Sequence, residues 1–256
     1  MDQPMKRRLA SEERPWMKYY PPQMVEGMKV PHCTLRAYLE QNMPGRTVTA
    51  VHYYGSDISW DELLKKADQA AKALHALGIG EGDRIPVFLQ SVPEFLYLLL
   101  AAEQVGAALV CRDNTLRENV EAVEKSGASV IFAHDFLTMR EMNAYLASGQ
   151  VKRVVLVDPC ASCDYDTLRP NIRETLDERY TARGAEGPAV LRWNDFLALG
   201  DTVEQLPAVS QDENRPLFCA YTSGSTGPSK QVVHSAYSMI GVVYQMNFYG
   251  ASDQFR

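Results

Sequence analysis

Short apolar segments alternate with amphipathic segments between residues 58 and 221, and this alternation is the feature that most constrains the fold. In the amphipathic segments apolar residues recur at helical spacing, and several segments end at a glycine, as at Gly78, Gly106 and Gly127. The apolar segments are only four or five residues long, which suits buried strands better than helices. Strands that alternate with helices are typical of a parallel sheet covered on both faces. The sequence therefore predicts an α/β fold with a largely parallel sheet flanked by helices.

The same pattern gives approximate bounds for each element. The predicted strands are Ile85–Leu89, Ala107–Cys111, Val130–Ala133, Arg153–Val157, Val190–Trp193 and Leu217–Tyr221. The predicted helices lie at about 58–77, 94–104, 117–126, 138–147 and 194–199, with a further helix after Val232–Val233–His234 that runs to about Met246. We expect three regions: an extended N-terminal segment (1–57) that wraps the body, a first α/β subdomain (58–215) with a polar excursion at 159–188, and the beginning of a second subdomain (216–256).

Charge and hydropathy exclude several classes of partner. The formal net charge is -6, the pI is near 5.4, and the only short basic run is Lys6–Arg7–Arg8. Nucleic acid is therefore not expected as a partner, because phosphate-backbone binding needs many clustered cations. The longest apolar run, Phe95–Ala102, is far shorter than the about 18 residues of a membrane span. With no secretion signal either, the expected location is the cytoplasm.

The cysteine and histidine spacing does not predict a metal site. Five scattered cysteines are unlike a secreted disulfide framework. Cys160 and Cys163 form a CxxC, but no second pair supplies the four ligands of a zinc site, so we interpret the spacing as coincidence. The histidines His32, His52, His75 and His134 also lack ligand spacing.

The segment after the last predicted strand is rich in groups that bind phosphate. It reads Thr222-Ser223-Gly224-Ser225-Thr226-Gly227-Pro228-Ser229-Lys230. The two glycines allow several backbone N–H groups to point at one anion, the hydroxyls add donors, and Lys230 adds a positive charge. Any helix start nearby adds its dipole. The candidate phosphate-binding residues are Thr222, Ser223, Gly224, Ser225, Thr226, Gly227 and Lys230.

This loop is not a Walker A sequence, because only two residues separate its glycines and no Ser or Thr follows Lys230. A stretch of Gly, Ser and Thr taken alone is also compatible with a flexible turn. The residues of the loop leave that alternative open.

The run from Tyr221 to Gly227, with Lys230 and Val232–Val233–His234 after it, resembles the signature loop of the acyl-adenylate-forming enzymes. These include acyl-CoA synthetases, firefly luciferases and peptide synthetase adenylation domains. Upstream segments are similar to the opening helices and strands of that family: Ile58–Leu63, Ala73–Ile79, Gly82–Ile85, Ser91–Phe95, Gly106–Ala107 and Ser126–Ala128. The end of the motif, His234–Ser238, looks most like short- and medium-chain acyl-CoA synthetases.

The resemblance implies an acetyl-CoA-synthetase-like N-terminal domain and an ATP-dependent acid–thiol ligase. In such an enzyme a small carboxylic acid attacks the α-phosphate of ATP, which gives acyl-AMP and pyrophosphate, and coenzyme A then takes the acyl group. ATP, Mg2+ and coenzyme A are the implied cofactors. The implied role of the loop, with Lys230, is to hold the β- and γ-phosphates. We identify no catalytic residue in the chain.

Two features depart from the family pattern. Pro228 is displaced by one position, and Gln231 stands where the family usually has glycine. The chain also ends 26 residues after Lys230, before the family's later motifs are expected. Tyr249–Asp253 resembles the adenine-binding motif but comes too early, so we interpret it as coincidence. We expect the chain to be the front part of a longer ligase and not to complete adenylation by itself.

Three further residues have expected roles. His234 either faces the substrate or opens the following helix, and Trp60 and Trp193 are expected to anchor the core. Two other functional classes fit the sequence. One is a non-catalytic module that binds a nucleotide or a protein partner, and the other is a phosphotransferase with an unusual phosphate loop.

Overall fold

The computed structural model of the protein describes residues 10–19, 29–112, 115–181, 185–222 and 229–248. The strands are β1 (Thr49–Tyr53), β2 (Ser56–Ser59), β3 (Arg84–Phe88), β4 (Ala108–Cys111), β5 (Val130–His134), β6 (Arg153–Val157), β7 (Val190–Arg192), β8 (Pro216–Tyr221) and β9 (Gln231–Ser235). The main helices are α1 (Leu35–Asn42), α2 (Trp60–Ala76), α3 (Pro93–Val105), α4 (Leu116–Ser126), α5 (Met139–Leu146), α6 (Pro170–Thr181), α7 (Trp193–Leu199) and α8 (Ala236–Phe248). Short helical turns occur at Ala10–Glu13, Pro15–Tyr19, Tyr165–Thr167 and Gly200–Thr202.

Seven of the described strands form one sheet in the order β7-β6-β5-β3-β4-β8-β9. The first six run parallel, and β9 runs antiparallel to β8 at the edge. Strands β1 and β2 form a separate antiparallel pair. The predicted α/β fold with a largely parallel sheet flanked by helices is confirmed.

Local sequence explains where the helices begin and end. Thr115 and Thr138 each form a capping box with the glutamate three residues later, which satisfies the first free N–H groups of α4 and α5. Gly106 ends α3 in the left-handed conformation, with φ of 82°. A Cβ atom on Gly106 would lie 2.9 Å from the Cα of Glu81, so only glycine fits at this position.

The sheet separates two hydrophobic cores. Helices α2, α3 and α7 pack on one face, and α4 and α5 pack on the other. Successive residues of a strand point to opposite faces, so Phe132 of β5 joins the first core while its neighbour Ile131 joins the second. Trp193 is buried beside Phe132, which confirms it as a core residue, whereas Trp60 is only partly buried.

One prediction of local structure was wrong, and one strand was not predicted. Within the segment predicted to be extended, residues 35–42 form α1, because Thr34 caps its first turn and a distant carboxylate binds its N-terminal amides. The helix predicted after Val232–Val233–His234 is present as α8, and β9, a strand that was not predicted, precedes it. The β-branched Val232 and Val233 favour a strand, and the edge of β8 offers it a partner to pair with.

Candidate functional site

The two described ends of the Gly/Ser/Thr-rich segment lie side by side at the carboxyl end of β8. The amide of Thr222 donates to the carbonyl of Lys230 at 2.9 Å, and the amide of Lys230 donates to Thr222 Oγ1 at 3.0 Å. The hydroxyl of Ser229 donates to the carbonyl of Thr222 at 2.6 Å. These three hydrogen bonds, which we call the loop neck, close the segment into a loop between two antiparallel strands.

The structure places two of the predicted phosphate-binding residues and leaves the others undescribed. Thr222 and Lys230 form the loop neck, and both are exposed. Ser223, Gly224, Ser225, Thr226 and Gly227 lie outside the described residues, as do Pro228 and Tyr249–Asp253. Among the described residues, no carboxylate forms an ion pair with Lys230.

The location agrees with a general rule for open α/β sheets, in which ligands bind beyond the carboxyl ends of the parallel strands. The loop neck follows the last residue of β8, at that end of the sheet. The helix that follows the loop does not start there, however. Because β9 runs antiparallel to β8 and Ser235 pairs with Pro216, α8 begins at the opposite end of the sheet.

Sequence reasoning missed a buried arginine beside the loop neck. Arg112 follows β4, the neighbour of β8, and is only 6% exposed. Its guanidinium carbon lies 4.4 Å from the ring centre of Tyr221, and its Nη2 donates to Glu118 Oε1 at 2.7 Å. Hydrogen bonds from Thr115 and then from Arg112 hold the pKa of the Glu118 carboxyl below its usual value. Nothing in the sequence signals these contacts, because Arg112 and Tyr221 belong to separate segments.

Gln231 stands where the acyl-adenylate-forming enzymes usually have glycine, and its side chain contacts Tyr221. It is the cross-strand partner of Tyr221, and its Nε2 donates to the Tyr221 hydroxyl at 3.3 Å. Its Oε1 lies 3.5 Å from Nη1 of Arg84, which is at the upper limit for a hydrogen bond. Gln231 therefore joins the polar groups on the α4 side of the sheet.

His234 does not open the helix after the loop. It lies within β9, partly buried, and its ring centre is 5.9 Å from that of Phe218 on the paired strand. It stands three positions after Gln231 along the strand, which is about 10 Å in an extended chain. The structure describes a packing contact for His234, and its substrate-side role stays a prediction.

A second feature at the carboxyl edge of the sheet is a cleft of about 680 Å³ between the ends of β3, β5 and β6. Its lining residues are Tyr53, Tyr54, Leu89, Gln90, Ser91, Val92, Phe95, His134, Phe136, Pro159, Cys160, Ile172 and Leu176. His134 Nε2 accepts the amide of Gln90 at 2.7 Å, and the Tyr53 hydroxyl donates to the carbonyl of Pro159 at 2.8 Å. In the sheet, β4 lies on one side of β3 and β5 lies on the other, so the strand order reverses direction at β3. The cleft lies at this reversal, where open α/β sheets commonly bind ligands.

A buried carboxyl group lies on α3 beside this cleft. Glu94 is 0% exposed, and its Oε1 accepts the hydroxyl of Ser162 at 2.5 Å. Ser162 belongs to the turn between Cys160 and Cys163. Burial raises the pKa of Glu94 and raises that of Cys163 to about 12, so the Cys163 thiol is protonated at neutral pH. In the described part of the chain, no three His, Cys, Asp or Glu side chains converge as a metal site would require.

We expect Glu94→Gln to change how stability depends on pH. A carboxyl group with a raised pKa in the folded state binds a proton more readily when folded than when unfolded. The free energy of unfolding therefore falls as pH rises from the ordinary glutamate pKa through the raised value. Glu94→Gln removes this contribution, so its unfolding free energy should decline less over that interval than that of the wild type. Urea denaturation between about pH 4 and about pH 8 measures the two slopes.

Glu124→Gln is the matched control, because Glu124 is exposed on α4 and its substitution should leave the slope unchanged. Equal slopes for wild type and Glu94→Gln would show that burial does not raise the pKa of Glu94.

The chain is similar to a family of known enzymes and to several of its members. A family model described as AMP-binding enzyme matches residues 40–256. Acetyl-coenzyme A synthetase 1 of Candida glabrata is 30% identical over 233 residues, which cover 86% of this chain and 29% of that protein. Acetyl-coenzyme A synthetase 1 of Saccharomyces cerevisiae is 31% identical over 206 residues, which cover 76% of this chain and 26% of that protein. The chain thus spans less than a third of the length of these relatives.

Two solved structures share the fold. The anthranilate CoA ligase AuaEII in complex with anthranoyl-AMP matches 82% of this chain and 37% of its own, with a TM-score of 0.60 and 18% identity. Apo MatB from Rhodopseudomonas palustris matches 80% of this chain and 35% of its own, with a TM-score of 0.57 and 20% identity. None of the helices described for this chain has both the length and the apolar character that a membrane crossing needs.

Proposed function

We propose that this chain supplies the ATP-phosphate-binding part of an AMP-forming acid–thiol ligase. The chain belongs to the AMP-binding enzyme family, whose model matches residues 40–256. The observation that carries the proposal is the loop neck. Three hydrogen bonds bring Thr222, Ser229 and Lys230 together beyond the carboxyl end of β8. The neck brings the two ends of the Gly/Ser/Thr-rich segment together beside Lys230, and a segment with glycines, hydroxyls and a lysine suits a polyphosphate.

The charge of the site supports the same ligand. Lys230 is exposed and has no ion-pair partner in the described part of the chain, so it can offset part of the charge of a triphosphate. ATP supplies the α-phosphorus that the acid attacks and the pyrophosphate that leaves. The contribution of this chain is to hold the leaving phosphates in place, which favours attack at the α-phosphate by position and by charge.

We further propose a small carboxylic acid as substrate and coenzyme A as the thiol acceptor. Both follow from the names of the relatives, which are acetyl-coenzyme A synthetases. Mg2+ is proposed to arrive with the nucleotide, because Mg2+ in such sites is held largely through substrate phosphates. We assign no described residue to the metal.

The polypeptide of residues 1–256 is expected to bind ATP without exchanging pyrophosphate into it. The described residues offer one exposed lysine at the loop neck, whereas adenylation also needs a positioned acid and further cations around the α-phosphate. Isothermal titration with ATP measures the first part of this expectation. Exchange of labelled pyrophosphate into ATP, with a panel of short-chain acids, measures the second.

The products distinguish the other functional classes. Acid-dependent exchange would show that these 256 residues complete the first half-reaction, and release of ADP would indicate a phosphotransferase. Absence of ATP binding would refute the proposed phosphate site.

A further inference from the structure

Arg112 has an environment that ordinary packing does not explain. It is a charged side chain only 6% exposed, and burial of a guanidinium is unfavourable unless the charge is paired. Its partner is Glu118 in the first turn of α4, which Thr115 holds through the capping box. Its Nε has no hydrogen-bond partner among the described residues. Within the described part of the chain, the guanidinium is thus held over Tyr221 by Glu118 alone.

Tyr221 is fixed from two directions. Arg112 lies against the face of its ring at 4.4 Å, and Gln231 donates to its hydroxyl at 3.3 Å from the paired strand. A desolvated cation–π pair changes an equilibrium constant by about 30-fold. We call Arg112, Tyr221 and Gln231 together the brace.

The brace adjoins both ends of the loop. Tyr221 directly precedes Thr222, and Gln231 directly follows Lys230. Any rotation of the Tyr221 or Gln231 backbone would separate the amide and carbonyl groups that close the loop neck. A fixed ring at this position therefore limits the motion of Thr222 and Lys230 together.

We propose that the brace positions the loop neck, and that Arg112, working through Tyr221, is a positioning residue for polyphosphate binding. Gln231 then replaces the family's glycine with a side chain that takes part in this positioning. The binding part of this inference rests on the proposed phosphate site, whereas the geometric part does not.

The test compares Arg112→Met with Arg117→Met. Arg117 is a suitable control because it is an arginine only five residues further along, in the first turn of α4, and its side chain is 88% exposed. Amide hydrogen exchange by NMR reports on the loop neck through Thr222 and Lys230, and on the rest of the sheet through β6. Isothermal titration with inorganic tripolyphosphate reports on binding.

Arg112→Met should speed exchange at Thr222 and Lys230 by about tenfold and weaken tripolyphosphate binding by about three- to tenfold, while β6 exchanges as in the wild type. Gln231→Gly should change the same amides in the same direction. Arg112→Lys should not restore the wild-type values, because lysine keeps the charge but lacks the flat group that stacks on the ring. Arg117→Met should change neither measurement.

Unchanged exchange at Thr222 and Lys230 in folded Arg112→Met would overturn the proposal. If Arg112→Met does not fold, Tyr221→Phe removes only the hydroxyl contact with Gln231, and wild-type exchange in that variant would overturn it equally. If the wild-type protein binds no tripolyphosphate, the proposed function fails, and the exchange measurement still decides whether the brace positions the loop neck.

Discussion

Replacing Lys230 by methionine is expected to weaken ATP binding by about tenfold to a hundredfold and to leave the stability of the fold nearly unchanged. A hydrogen bond to a charged group contributes about 1.5–3 kcal/mol, and the triphosphate would lose one such bond together with an opposing charge. Lys230 is exposed and has no ion-pair partner among the described residues, so its substitution should alter the unfolding free energy by no more than about 0.5 kcal/mol. Isothermal titration and thermal denaturation measure the two quantities.

Lys65→Met is the control for the change in net charge. Lys65 is exposed on α2, a helix that packs against α3 and α7 on one face of the sheet. Its substitution should reduce ATP affinity only slightly, through the lost long-range attraction, and this loss should disappear in salt. Equal losses for the two variants would show that ATP responds to net charge and not to the loop neck.

Replacing Glu103 by alanine is expected to lower the free energy of unfolding by about 2–4 kcal/mol. The carboxylate of Glu103 accepts the amides of Leu35 at 2.6 Å and of Arg36 at 2.8 Å, and it is 5% exposed. These amides belong to the first turn of α1, where a helix has no partners of its own for its N–H groups. Alanine would leave the buried amide of Leu35 and the partly buried amide of Arg36 without an acceptor. Urea denaturation measures the change.

Two opposing effects act on the pKa of the Glu103 carboxyl group. Burial raises the pKa, and the bonds from Arg36 and Leu35 oppose that effect. Glu103→Gln keeps one acceptor oxygen, so it should destabilise the fold by less than Glu103→Ala. Glu124→Ala, at an exposed position on α4, should change the unfolding free energy by less than about 0.5 kcal/mol. A Glu103→Ala protein as stable as the wild type would mean that α1 forms without this carboxylate.

Glu103 also explains why the N-terminal segment was predicted incorrectly. The sequence around residues 35–42 is short and has proline nearby, so its pattern does not indicate a helix. The carboxylate that stabilises α1 is 67 residues from Arg36 along the chain. A window of local sequence cannot contain such a contact.

The candidate site likewise combines residues that local sequence predicts with residues that only the fold brings together. Thr222 and Lys230 were predicted from their neighbours in the chain, because a phosphate loop is a local arrangement of glycines, hydroxyls and a cation. Arg112 was not predicted, because it meets Tyr221 only when β4 and β8 become neighbours. The division of the chain at residues 57 and 215 stays a prediction.

The sequence by itself determined the alternation of strands and helices, the glycine ends of α3 and α4, and the family to which the chain is similar. Periodicity and capping act over a few residues, so they can be read without knowing the fold. Only the tertiary structure decided the order of the strands, the placement of β9 after the loop, and the contacts of Arg112, Gln231 and Glu103. Each of these depends on which distant segments pack side by side, and the packing of the two cores on either side of the sheet determines that.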